Sequence, residues 1–332
     1  MGEDVGVAAI APRLDEVETF LAASHGRAVS HLELLHGGFW SAAFGYRLDG
    51  RELVARFGDV REGFEMDRMA MAFSGPDLPV PDVLEVGDAF GGAYAISVRH
   101  HGRFLESVRP GEATAAGRAL DRTLGALRAV PAGLDAPTAW YPAEGPGEES
   151  TWRRWLTDGL VDDPRRRVSG WREVLAADAD FDRLFRACKG RIGEFLDGCP
   201  ERRDIVHGDL LNRNVLVAED ASRVTAVFSW KCSVRGDFLY DVAWCTFWEP
   251  WHPGIAAVDL WNGTLRSPAL AGAALEDAAV RHHCYELQIG ASHLGWSAWT
   301  GDHEALRSVA DRTRHVLERG PRAPEPFVLE DD

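Results

Sequence analysis

The sequence contains very little lysine. Of its 36 basic residues only Lys189 and Lys231 are lysines, so any chemistry that needs a primary amine must use one of these two positions. Acidic residues number 52, and the formal net charge is -16. Because nucleic acids are polyanions, this charge predicts no nucleic-acid partner, and anionic membranes are excluded for the same reason. The charge favours a cationic ligand, since an acidic cleft attracts cations, but acidity can also serve solubility alone.

Cysteines and long apolar runs are also scarce. The five cysteines form no Cys-x-x-Cys pair, which predicts reduced thiols rather than a disulfide framework or a zinc site. No apolar run approaches the roughly 18 residues that a membrane-spanning helix needs. The segment 1–21 carries acids where a signal peptide carries positive charge. We therefore expect a cytoplasmic protein without a membrane partner, and nothing in the sequence indicates more than a monomer.

The pattern of the chain changes after about its first third. A short helix is predicted at 13–25, followed by β-rich runs with a hairpin turn at 48–50 and an amphipathic helix at 62–75. Helical patterns and Pro/Gly-rich loops dominate the rest. The sequence predicts an α+β protein with two domains. The first, over 1–98, is a small antiparallel sheet with one main helix, and the second, over 99–332, is larger and mostly helical.

Two β-rich runs in the middle of the chain carry the polar residues that indicate chemistry. If they pair as a tight hairpin centred between Ala221 and Ser222, Asn214 lies opposite Ser229, with Cβ atoms roughly 5 Å apart. Asp209 lies on the loop that enters the first strand. A carboxylate, an amide and a hydroxyl that converge suit a hard cation such as Mg²⁺. A loop aspartate can instead accept a proton from an attacking hydroxyl.

Each of these residues also has a purely structural explanation. Asp and Asn favour turns through local backbone hydrogen bonds, so an isolated Asp-x4-Asn spacing more often indicates a turn than a site. The longer pattern is far more specific, because His-Gly-Asp, four residues and Asn lead into a strand that returns as a hairpin.

Three segments, read in order and spacing, resemble the aminoglycoside phosphotransferase family, which has a protein-kinase-like bilobal fold. They are HGDLLNRNVLV at 207–217, TAVFSW at 225–230 and GDFLYDVAW at 236–244. The resemblance covers nearly the whole chain and, within the family, is greatest to hygromycin B phosphotransferases, which have counterparts of LPVPDVLEVGD and FWEPW. It implies transfer of the γ-phosphate of ATP or GTP, with Mg²⁺, to a hydroxyl of a cationic antibiotic.

The resemblance also assigns roles within these segments. Asp209 is similar to the catalytic base that faces the acceptor hydroxyl, and Asn214 to a Mg²⁺ ligand. His207 either braces the loop or is an ordinary hydrogen-bonded core histidine. Asp237 and Asp241 would stabilise the catalytic loop and cap the next helix.

The small lobe would hold the nucleotide. Gly37, Gly38 and Ser41 lie where a phosphate-covering loop belongs, although a Gly-Gly pair alone is more typical of a hairpin turn. Ser97 and Val98 lie in the hinge segment that would read the base through backbone groups.

Arg56 occupies the position of the phosphate-binding lysine in the family pattern. Its planar guanidinium can clamp phosphates. Its partner on the following helix is either Asp67 or Glu65, because the helix register leaves both open.

The family pattern places an aspartate at position 229, where this sequence has Ser229. Three explanations compete. The serine hydroxyl completes a metal site with Asp209 and Asn214, with a loss of roughly 10²-fold in kcat because a neutral oxygen attracts a dication less strongly than a carboxylate. Alternatively, the protein is a pseudokinase that binds a ligand without turnover, or the serine was introduced deliberately.

The acceptor side is predicted from aromatic and acidic residues. Trp248 and Trp251 offer flat faces to a sugar ring or a cation, and Glu249 could bind an ammonium. Tyr285 and Glu286 are further candidates for contact with the substrate. Another small alcohol is an alternative acceptor, in a kinase for choline, homoserine or a sugar, since the fold alone does not fix the substrate.

Overall fold

The computed structural model describes residues 12–35, 39–131, 151–267, 275 and 277–322. These residues form two compact units. The first comprises the described part of Met1–Phe104 together with Asn214–Glu219 and Val224–Cys232. The second comprises the described part of the remaining chain. Within the described residues, no helix is long and apolar enough to cross a membrane.

The first unit is built on an antiparallel five-stranded sheet in the order β1-β2-β3-β5-β4. Its strands are β1 (Ser30–Leu34), β2 (Ser41–Leu48), β3 (Arg51–Gly58), β4 (Val83–Ala89) and β5 (Gly92–Val98). The predicted turn between β2 and β3 is confirmed. Asp49 and Gly50 both have positive φ, 51° and 77°, as a two-residue hairpin turn of type I′ requires.

Two helices pack on this sheet, α1 (Leu14–His25) and α2 (Arg61–Ala70). Both were expected, although α2 ends before residue 75 and continues only as one 3-10 turn, Met71–Phe73. Phe57 is fully buried at the centre of the core beneath α1, edge-on to Phe20 and Phe44.

A second sheet of this unit carries the hairpin predicted from the sequence. It consists of β6 (Arg103–Phe104), β8 (Val215–Val217) and β9 (Val224–Val227), in that order. The boundary predicted after residue 98 falls at the end of β5, whereas the first unit continues to Phe104 and includes strands β8 and β9, because β6 pairs with β8.

The predicted register of this hairpin is wrong, by two residues next to the turn and by one residue at Asn214. Val215 pairs with Val227, and the Phe228 N–H donates to the Asn214 carbonyl at 3.0 Å. Asn214 therefore lies opposite Phe228 rather than Ser229. The pairing shifts between Leu216 and Val217, and such an irregularity cannot be read from strand propensity.

The second unit is mostly helical, as predicted. Its helices are α3 (Ala113–Ala129), α4 (Trp152–Asp158), α5 (Trp171–Ala176), α6 (Ala179–Phe195), α7 (Leu239–Trp248), α8 (Pro253–Ala256), α9 (Leu260–Arg266), α10 (Ala278–Thr300) and α11 (His303–Arg319). Two short strands, β7 (Asp204–Val206) and β10 (Val234–Gly236), pair antiparallel. Helix α10 is buried along most of its length, because α5, α6, α7 and α11 pack around it.

Candidate active site

The loop after β7 in the second unit is held by buried groups. The Asp241 carboxylate, near the start of α7, accepts the backbone N–H groups of His207 and Gly208, each at 2.8 Å. His207 is fully buried, and its Nδ1 accepts the backbone N–H of Asp209 at 3.2 Å. Both alternatives for His207 therefore hold, since it is a core histidine that also braces the loop. The role predicted for Asp241 is confirmed.

Asp209 itself is half-buried on this loop. The side-chain amide of Asn212 donates to its Oδ1 at 2.7 Å. Asn212 and Arg213 are consecutive left-handed residues, with φ of 63° and 62°, and the Arg213 N–H donates to the Glu106 carboxylate. The carboxylate of Asp209 is thus oriented by local hydrogen bonds and retains accessible surface, as a proton acceptor requires.

Asp237 anchors α7 to α10. Its carboxylate accepts hydrogen bonds from the Arg281 guanidinium at 2.7 and 2.8 Å and from the Tyr285 hydroxyl at 2.7 Å. The Leu239 N–H donates to it at 3.2 Å, which satisfies one of the first helical N–H groups and confirms the predicted capping role. Burial raises the pKa of Asp237, whereas Arg281 and Tyr285 lower it.

The expectation that Tyr285 contacts a substrate is wrong in this structure. Its side chain is fully buried, and its hydroxyl also accepts the Trp152 indole N–H at 3.1 Å. Tyr285 therefore holds the core of the second unit together.

The same expectation for Glu286 is also wrong. Its carboxylate is fully buried and pairs with Arg319, with Arg322 at 3.7 Å and with Arg312 at 3.9 Å. The Thr246 hydroxyl donates to it at 3.1 Å. Burial raises the pKa of Glu286, but the surrounding positive charges outweigh this effect and leave the pKa lowered.

The aromatic pair predicted for the acceptor is half-buried. The Trp248 ring lies 5.1 Å from that of Trp251, measured between centroids. Glu249 is already paired, with Arg322 at 2.7 Å and Arg312 at 3.5 Å. Its charge is therefore compensated within the protein, while both tryptophans remain partly exposed.

In the first unit, Arg56 of β3 pairs with Asp67 of α2. The open choice between the two acids is thus resolved, since Glu65 pairs with Arg61 instead. The other oxygen of Asp67 accepts the backbone N–H of Trp230 at 2.7 Å, a contact that the sequence analysis missed.

The two neutral ligands predicted for a metal ion both belong to the first unit. Asn214 is buried, and Ser229 is half-buried with a φ of 68°. Their amide and hydroxyl oxygens fit a magnesium ion in kind, because Mg²⁺ prefers oxygen ligands, but they bring no negative charge. Across the described residues, no group of three or more His, Cys, Asp or Glu side chains could hold a metal.

The predicted hinge residues offer less to a nucleotide than expected. The Val98 N–H already donates to the Asp82 carbonyl at 2.9 Å, and Ser97 is buried between β3 and β4. A base-reading donor at Val98 is therefore excluded in this arrangement. Ser41 begins β2, while Gly37 and Gly38 lie outside the described residues.

Comparison with known proteins agrees with this architecture. The chain is 30% identical over 308 residues to hygromycin-B 4-O-kinase from Escherichia coli, covering 92% of this chain and 85% of that protein. It also matches a crystal structure of a thermostable mutant of aminoglycoside phosphotransferase APH(4)-Ia, a ternary complex with AMP-PNP and hygromycin B. That match has a TM-score of 0.76 and 29% identity, and covers 91% of this chain and 98% of that one.

A more distant match shows the fold alone. The GDP complex of aminoglycoside 2'-phosphotransferase-IIIa has a TM-score of 0.58 and 12% identity, with coverage of 93% of this chain and 99% of that one. The predicted protein-kinase-like α+β fold is thereby confirmed. Residues 32–275 match the model of the phosphotransferase enzyme family, and the chain belongs to that family.

Proposed function

We propose that this protein transfers the γ-phosphoryl group of ATP or GTP to a hydroxyl of hygromycin B or a close aminoglycoside relative, and so confers resistance to that antibiotic. The 30% identity to hygromycin-B 4-O-kinase over most of both chains supports this substrate class. The observation that carries the proposal is the state of Asp209, a partly accessible carboxylate fixed by Asn212 on a loop that Asp241 anchors.

Each residue of the site has a defined task in this reaction. Asp209 accepts the proton of the acceptor hydroxyl. The hydroxyl oxygen bonds to the γ-phosphorus while the bond from the γ-phosphorus to the nucleoside diphosphate breaks. Arg56, held by Asp67, neutralises phosphate charge through its guanidinium. Asn214 and Ser229 would supply oxygen ligands to magnesium. When bound, magnesium neutralises the phosphate oxygens.

The acceptor would bind through stacking rather than through many charges. Trp248 and Trp251 present partly exposed rings to a sugar face. The net charge of -16 favours a polycationic antibiotic over an anionic alcohol. Action as a monomer in the cytoplasm stays a prediction.

A coupled assay of ADP or GDP release with Mg²⁺ tests the proposal. We expect release to depend on hygromycin B, and kcat to fall about 10²- to 10⁴-fold in Asp209→Asn. The matched control is Asp180→Asn, an exposed acid at the start of α6, which should leave kcat unchanged.

Other results would replace the proposal. Turnover only with choline, homoserine or a sugar would show a metabolite kinase. The neutral Ser229 favours one further candidate, a pseudokinase, and binding of nucleotide and antibiotic without turnover would establish it.

A further inference from the structure

One of the two lysines of the chain lies beside Ser229, a residue proposed to hold magnesium. Lys231 follows Ser229 by two residues and lies in the 3-10 helix Trp230–Cys232 of the first unit. The position that the family pattern gives to an acid is therefore neutral here, and a cation occurs next to it. Both the missing carboxylate and the added ammonium make the local charge more positive.

Lys231 is held by defined contacts. Its stem runs along α2 at Gly63, where an added Cβ would lie 3.4 Å from the lysine Cβ and 3.9 Å from its Cδ. Its ammonium lies 4.2 Å from the ring centroid of Trp40. Trp40 directly precedes β2, so the lysine reaches from α2 to the start of that strand.

The backbone next to Lys231 shares an anchor with Arg56. Asp67 accepts the Trp230 N–H at 2.7 Å through one oxygen and pairs with Arg56 through the other. One buried carboxylate thus fixes both the phosphate-binding guanidinium and the segment that carries the lysine. Arg56 and Lys231 carry two positive charges and Asp67 carries one negative charge, which leaves a net charge of +1 for the three residues.

We propose that Lys231 contacts the phosphates of the nucleotide and supplies part of the charge neutralisation that a carboxylate-bound magnesium ion would give at position 229. The proposal deepens the proposed function, on which it rests. Lysine binds phosphate as a compact point charge, and the Trp40 ring holds the ammonium in position. Such a residue would make nucleotide binding less dependent on magnesium.

Calorimetric titration with AMP-PNP, with and without Mg²⁺, tests this directly, because it needs no turnover. Lys231→Met should weaken AMP-PNP binding without Mg²⁺ by about 10- to 100-fold, the value of one charge-assisted hydrogen bond. Adenosine, which has no phosphate, should bind both proteins equally. Lys231→Arg should restore most of the affinity, and Lys189→Met, at the other lysine, should change nothing.

A second variant separates a lost phosphate contact from a folding defect caused by Lys231→Met. In Ser229→Asp, which restores a carboxylate for magnesium, Lys231→Met should cost less with Mg²⁺ than it does in the parent protein. Equal losses for adenosine and AMP-PNP, or an unchanged AMP-PNP affinity with a lower melting temperature, would show that Lys231 only packs on Trp40. Phosphate-dependent loss in a protein that never phosphorylates hygromycin B would refute the proposed acceptor and leave this inference standing.

Discussion

The Asp241 carboxylate accepts the backbone N–H of His207, 34 residues earlier in the chain, at 2.8 Å, and His207 is fully buried. The same carboxylate accepts the N–H of Gly208. One side chain of α7 therefore determines the backbone path that leads to Asp209.

Burial raises the pKa of Asp241 from 3.8 to about 7, although the two N–H donors lower it. Between these pH values the folded state holds a proton that the unfolded chain has lost. The free energy of unfolding should therefore fall by about 1.4 kcal/mol per pH unit from pH 4 to 7 on account of this group. Asp241→Asn should remove that slope, because an amide does not titrate.

Urea unfolding of both proteins at several pH values measures this effect. The stability of wild type relative to Asp241→Asn should fall as the pH rises to about 7 and stay level above it. A difference that is constant from pH 4.5 to 8 would contradict the raised pKa.

Ser229→Asp should raise kcat roughly 10²-fold and lower the magnesium concentration for half-maximal activity, since a carboxylate attracts the ion more strongly. The φ of 68° at this position is compatible with aspartate, which is enriched in left-handed conformations. Ser229→Asn is the matched control, with nearly the same shape and no charge. Equal rates in the two variants would show that charge at this position does not limit the reaction.

Asp67→Ala should destabilise the protein by roughly 3 kcal/mol, because it leaves Arg56 and the Trp230 N–H without their shared partner in a buried place. Asp88→Ala breaks a pair with Arg61 in which the acid is 79% exposed, and should cost under about 1 kcal/mol. Denaturant unfolding compares the two. Similar losses would mean that the Arg56 pair is no more important than a surface contact.

Glu286→Gln should lower the free energy of unfolding by about 3 kcal/mol while leaving KM for the antibiotic unchanged, because its carboxylate compensates buried arginines. Trp251→Ala should do the opposite, raising KM with little loss of stability. Steady-state kinetics and urea unfolding on the same preparations separate the effects. A raised KM in Glu286→Gln would return this residue to the substrate site.

The sequence predicts local features well, but it predicts poorly which residues face each other in the folded protein. The turn at Asp49 and Gly50 depends on a short spacing with few structural alternatives. The anchoring roles of Asp237 and Asp241 came from the resemblance to the phosphotransferase family. The hairpin register failed because the observed pairing next to the turn, Val217 with Val224, centres the turn one residue earlier than predicted, and the irregularity beyond it offsets only part of that error. Tyr285 and Glu286 were misplaced because polar residues on a helix look alike whether they face a ligand or a buried partner.

Other contacts left no readable signal in the sequence. The choice of Asp67 over Glu65 depends on how α2 is rotated against β3. Two acids that are two residues apart in the sequence do not determine that rotation. The hydrogen bond from Trp230 to Asp67 joins positions 163 residues apart, and only the folded sheet brings them together.

The pairing of β6 with β8 has a consequence for synthesis of the protein. A ribosome that has released only the first 104 residues has supplied β6 but not the strand that it pairs with, which begins at Val215. The second unit also depends on a late segment, because Glu286 is neutralised only after Arg319 and Arg322 have been synthesised. Both units must therefore complete their folding late in translation, and no single cut in the gene would yield either of them whole.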